Sequence, residues 1–198
     1  QAMTSRGQSI DVLSSEIARW IYLANRDEHA FFVEDSIDMP WTRELASPAG
    51  PVYRLADRAG SDLTTEQIER DHAYWRDTNR ALLDAPLFDS DLDARMAFSA
   101  LRPQGAKIYR DRGLLRDAEF AFSQALELLP NELTSMVALA DVYAQQQRWR
   151  EARGVIAPYR DQAPVLLSLD AQWAERQQRV EALGVAHTQL VFAPTDTS

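Results

Sequence analysis

Between residues 106 and 164 the chain repeats its own pattern at a spacing of 34, and no other feature constrains the fold as much. Tyr109 recurs as Tyr143, Ala106 as Ala140, Ala118 as Ala152 and Pro130 as Pro164, while Phe122 is echoed by the apolar Ile156. A period of this length suits one helical hairpin per repeat, each covering the apolar face of its neighbour. Over one period Ala106, Tyr109, Gly113, Ala118, Phe122, Ala125 and Pro130 run small, large, small, small, large, small, stop. Small residues let antiparallel helices approach, large ones fill the space between them, and proline ends the second helix because it lacks an amide hydrogen. Gly113 falls where the chain turns between helices, a position that favours positive φ. In the second copy Gln147 takes the glycine position and Tyr159 replaces the second alanine.

Two details qualify the pattern. Pro103, after Arg102, stands where the first helix should already be running. An interior proline costs about 3 kcal/mol, so the spacing predicts a helix that starts near Pro103 or kinks there. After Pro164 the segment 165–183 reads as a closing amphipathic helix with Leu166, Leu169, Trp173, Val180 and Leu183 on or near one face. Two copies are fewer than an isolated array needs. The rest of the chain must supply packing.

The first 90 residues are not repeat-like. Ser9 is placed to cap a helix whose apolar residues Ile10, Leu13, Ile17, Trp20, Ile21 and Ala24 follow three-four spacing. Ala30 to Val33 and Val52 to Leu55 favour extended structure and are expected to pair as a small sheet, separated by a loop with Pro40, Trp41, Pro48, Gly50 and Pro51. Another helix follows Thr64, which has capping-box spacing to Gln67, and ends before Pro86. Its stripe Ile68, Trp75 and Leu82 also carries Asp71, which must sit at the edge of the buried face or find a partner there.

The repeat residues resemble the tetratricopeptide repeat family over about residues 97–164. That resemblance implies a surface that holds a protein or peptide partner and performs no chemistry, with Lys107, Arg110, Asp141 and Gln145 on the helices that face its concave groove. A solvated helix face explains the same four residues. A second resemblance rests on the stretch Asp27 to Ser36, then Met39-Pro40-Trp41, then Pro48-Ala49-Gly50, then Asp71 to Trp75. In that order these motifs are similar to the soluble tail of bacterial membrane proteins related to protein O-mannosyltransferases, known as domain of unknown function 2723. The resemblance implies an extracytoplasmic tail of a larger glycosyltransferase-like protein whose catalytic acid lies in its membrane region, so no catalytic residue carries over. The abrupt start at Gln1-Ala2-Met3 suits an excised piece of that kind.

Chemistry read directly from the residues is sparse. Net charge is −9 without a basic run, which disfavours nucleic acid and anionic lipid. Cysteine is absent, so neither a disulfide nor a thiolate metal site is expected, and no apolar run is long enough to enter a membrane directly. Only three histidines exist, and none has a second histidine at ligand spacing. His29, Glu34, Asp35 and Trp41 form the one candidate loop site: as an alternative to a scaffold, they would build a ligand-binding or hydrolytic centre if the loop folded back, and otherwise they are solvated charges around a helix end and a strand edge. Trp75 and Trp173 lie on apolar stripes and are expected in the core. No metal or cofactor is expected.

The sequence therefore predicts a mainly α protein: an N-terminal helical segment with a small β element over 1–90, two tetratricopeptide-like hairpins with a closing helix forming an α-α superhelix over 91–183, and a tail over 184–198. In the tail, residues 187–192 are read as adding a strand to the sheet or fraying.

Overall fold

The computed structural model describes residues 2–34, 39–58, 60 and 62–191. It is mainly helical, with a small three-stranded antiparallel sheet. The chain divides into two compact units, residues 1–132 and 133–198. Among the described residues no helix is long and apolar enough to cross a membrane.

In the first unit α1 spans Ala2–Asn25, so Ser9 is interior to the helix and does not cap it. The strands β1 (Phe31–Val33), β2 (Ala46–Ala49) and β3 (Val52–Leu55) follow, with β3 in the centre. Phe31 pairs with Leu55 and Ala46 with Leu55 on its other side. The pairing of β1 with β3 matches the expectation, whereas β2 was masked by Ser47 and Pro48, residues that read as loop. Gly50 joins β2 to β3 at φ 70°, with Pro51 after it. A two-residue hairpin with positive φ at its first central position favours glycine there. Tyr22, Leu45, Ala46 and Leu55 form a small core under the sheet, flanked by Trp41 and Ile108.

Helix α2 (Thr65–Leu83) carries the expected capping box, Thr64 accepting from the Gln67 amide while the Gln67 side chain accepts from the Thr64 amide. Helix α3 spans Leu92–Asp111 and packs on α4 (Leu115–Leu128) as a hairpin. It does not start at Pro103: Asp91 caps it twelve residues upstream, accepting from the Ala94 amide at 2.9 Å. The cap and the buried residues on either side of the proline hold a helix that loses one backbone hydrogen bond at Pro103. Ala106, Tyr109, Ala118, Phe122 and Ala125 are all fully buried, and α2 and α3 both pack against β2.

The second unit holds α5 (Leu133–Gln145), α6 (Trp149–Ile156) and α7 (Pro164–Val191). Its core is Ala140, Ala144, Ala152, Ile156, Leu166 and Trp173. Helix α6 stops earlier than the period suggests. Pro158 follows Ile156 too closely for α-helix to continue, and residues 157–162 wind as a 3-10 turn. Pro164 consequently opens α7 instead of ending α6. Residues 187–191, read as a strand or a frayed end, continue α7, and Phe192 lies outside the described residues. Val180 and Leu183, expected on the closing stripe, are exposed.

The two hairpin turns are alike in detail. Leu114 donates its amide to the Tyr109 carbonyl and Gly113 to that of Arg110; 34 residues later Arg148 donates to Tyr143 and Gln147 to Ala144. Both are Schellman caps, with Gly113 at φ 73° and Gln147 at φ 61°. A side chain in this region is strained by about 1 kcal/mol. Gln147→Gly is thus expected to raise the stability of the second unit by about 0.5–1 kcal/mol, read as a higher urea midpoint; a lower midpoint would contradict the strain.

Candidate functional site

Among the described residues of the first unit, polar side chains form a buried network at its centre and line a cleft beside it. The network grows from Asp71, which α2 turns inward along with Trp75 and which is 2% exposed. Three donors satisfy its carboxylate. Arg102 Nη1 and Tyr109 Oη each lie 2.8 Å from Oδ2, and the Gly50 amide lies 3.1 Å from Oδ1. Arg102, fully buried on α3, also donates from Nε to Gln124 Oε1 at 2.8 Å and lies over the Trp75 ring, 5.5 Å from its centroid. Its Nη2 is 3.0 Å from His72 Nδ1. A guanidinium only donates, so Nδ1 accepts and the ring proton sits on Nε2, 3.0 Å from Asp117 Oδ1. His72 is therefore a neutral imidazole with a fixed tautomer.

Burial lowers the His72 pKa, opposed by its hydrogen bond to Asp117 and assisted by the Arg102 charge. Burial raises the Tyr109 pKa, and Asp71 adds to the rise, so the phenol stays a donor. Burial likewise weakens the hold of Arg102 on its proton, while Asp71 and then Tyr109 restore it. A general base needs a free lone pair within reach of a substrate. Neither His72 nitrogen is free, and Asp71 is filled by its three donors. The network is a clamp that joins α2, α3, α4 and the β2–β3 turn.

A pH dependence follows. The folded state holds His72 below the unfolded imidazole value near 6.5, so the unfolded chain takes up the proton first. Stability from this group is complete above that value and declines as pH falls through it toward the folded pKa. The urea midpoint of the first unit is expected to drop between about pH 7.5 and pH 5.5, and His72→Gln to flatten that drop. Identical profiles for parent and variant would exclude His72 as the cause.

The cleft, about 760 Å³, lies between α3 and the sheet. Val33, Tyr53 and Ile108 give it apolar lining, and Glu34, Arg43, Glu44, Lys107, Asp111 and Arg112 supply charges of both signs. Lys107 donates to Gln104 Oε1 at 2.9 Å, and Arg112, reaching under the sheet, donates to the Ala46 carbonyl at 2.6 Å. Of the residues singled out by sequence, Glu34 and Lys107 line this one cleft. Arg110 donates from Nε and Nη2 to its neighbour Asp111 at 3.0 and 2.9 Å. Asp141 and Gln145 belong to the second unit, where Gln145 Nε2 donates to Asp141 Oδ2 at 2.7 Å along α5. His29 is exposed just past the end of α1. Trp41 lines a separate hollow with Tyr22 and donates its indole hydrogen to the Ser15 carbonyl at 3.1 Å, plugging the junction of helix and loop. Asp35 lies outside the described residues. Among the described residues no group of three acidic or histidine side chains is placed to hold a metal ion.

Sequence spacing places Asp71 either at the edge of the buried face or beside a partner, and does not assign Arg102 or Tyr109 to it. The one available signal is Arg102 itself, a cation next to Pro103 in the first repeat.

No family model, curated protein or solved structure matches this chain.

Proposed function

We propose that the chain is a non-catalytic interaction module that seats a protein or peptide partner in the cleft between α3 and the sheet. The lining of that cleft carries the reading: apolar side chains beside charges of both signs suit a peptide segment with its own mixed side chains. The 34-residue period and the matched turns at Gly113 and Gln147 support reading the hairpins as tetratricopeptide-like, with α7 closing a short α-α superhelix. The order of motifs from Asp27 to Trp75 supports a wider context, the extracytoplasmic tail of a larger, glycosyltransferase-like bacterial membrane protein.

Selection of displayed peptides against the whole chain tests the cleft. Enriched peptides are titrated against the parent, against Lys107→Glu and against Arg179→Glu, whose position on α7 is in the other unit. A loss of about tenfold or more, roughly 1.4 kcal/mol, for Lys107→Glu alone is the expected result. Peptides that bind all three proteins equally would place the partner elsewhere, and failure to enrich any would remove the reading.

A further inference from the structure

We infer that two copies of this chain pair in parallel through a heptad seam on α1, a surface separate from the cleft. Ile10, Leu13, Ile17, Trp20 and Ala24 advance by alternating steps of three and four, the a/d spacing of a coiled coil. In that register Ser15 and Tyr22 fall at f, on the side of the helix opposite the seam. It is the f side that fastens α1 to the first unit. Tyr22 is 3% exposed, donates to the Ala56 carbonyl and meets the Phe31 ring edge-on at 5.4 Å, while the Ser15 carbonyl accepts from Trp41.

The seam looks outward. Leu13 is 61% exposed and Trp20 69%, and Ile17, Ile21 and Leu23 are about half exposed. An amphipathic helix ordinarily turns its apolar stripe to the core. Here the stripe is left over after the helix is docked.

The choice of residues names the occupant. Isoleucine at a (Ile10, Ile17) with leucine at d (Leu13) favours two parallel strands. The flanking e and g residues between 14 and 23 are Ser14, Glu16, Ile21 and Leu23, so the single charge, Glu16, meets Ile21 of the partner copy and no like charges are opposed. With side chains of about 150–250 Å², these exposures leave roughly 600 Å² of apolar surface per copy. A pair would cover roughly 1,200 Å², the lower end of specific interfaces. That area fits a reversible dimer.

Sedimentation of the whole chain between about 1 and 100 μM tests the pairing, with dissociation constants of that range expected. Ile17→Lys is expected to weaken association at least tenfold without lowering the thermal midpoint, because Ile17 points away from the fold. The chain has no cysteine, so Ile17→Cys gives a single thiol that should cross-link on oxidation, since a faces a in a parallel pair, while Val12→Cys should not. A monomer at the highest concentration, whatever else covers the seam, would overturn the inference. So would a dimer indifferent to Ile17→Lys, or one that Ile17→Cys fails to cross-link.

Discussion

Arg102→Met is expected to destabilise the first unit by about 3–5 kcal/mol, enough to remove much of the stability of an ordinary domain. Methionine occupies similar length but donates nothing. Asp71 would keep Tyr109 and the Gly50 amide but lose its counter-charge, Gln124 Oε1 would lose a buried donor, and His72 Nδ1 would lose the group that fixes its tautomer. The magnitude comes from the charge left behind more than from the bond removed. Adding Asp71→Asn to the same chain should therefore recover a large share of the loss, since a neutral amide oxygen still accepts from Tyr109. Urea denaturation of the parent, the single and the double variant reads the comparison. A single variant that loses less than about 1 kcal/mol would mean that the pair is effectively solvated, and a double variant no better than the single would exclude buried charge as the reason.

Trp173→Ala is expected to cost the second unit about 3–5 kcal/mol. The indole is 5% exposed and packs in a core otherwise made of three alanines, Ile156 and Leu166. Alanines cannot collapse into the void, so most of the cavity would remain. Amide exchange in α5 and α6 should accelerate about 10²- to 10³-fold as that unit opens more often. Unchanged exchange would show that Trp173 covers the unit without supporting it.

Local rules found the elements whose causes are local. The capping box at Thr64 and Gln67 lies within one turn of helix, and the period places the turn at Gln147 although glutamine gives no sign of positive φ. Failures occur where a distant contact outweighs a local signal. Pro103 reads as a helix start or a kink, yet the helix begins at the Asp91 cap, and the burial of Arg102 and Tyr109 on the same helix holds it through the proline. Ser47 and Pro48 read as loop, yet pairing to β3 makes them strand. Pro158 is the opposite case, a local breaker overlooked because the period pointed to Pro164. The stripe on α1 is visible in the spacing, but its exposure is not; periodicity shows which residues share a face and not what the face meets. The same limit applies to the site. That Asp71 sits at the edge of the buried face or meets a partner was legible, whereas the choice between them was not, because the partner Arg102 lies 31 residues away in sequence.

The network also governs time as well as energy. Its bonds from Asp71 to Gly50, Arg102 and Tyr109, and from His72 to Asp117, span 21 to 45 residues, whereas the bonds that close the hairpin turns span five or fewer. Loops of that length close only after local structure has formed. Contacts made after the folding barrier slow unfolding and leave the folding rate nearly unchanged. The buried ion pair is expected to act as a latch on the native state, Arg102→Met raising the unfolding rate and leaving the folding rate nearly unchanged; a slowed folding rate would place the network in the folding nucleus.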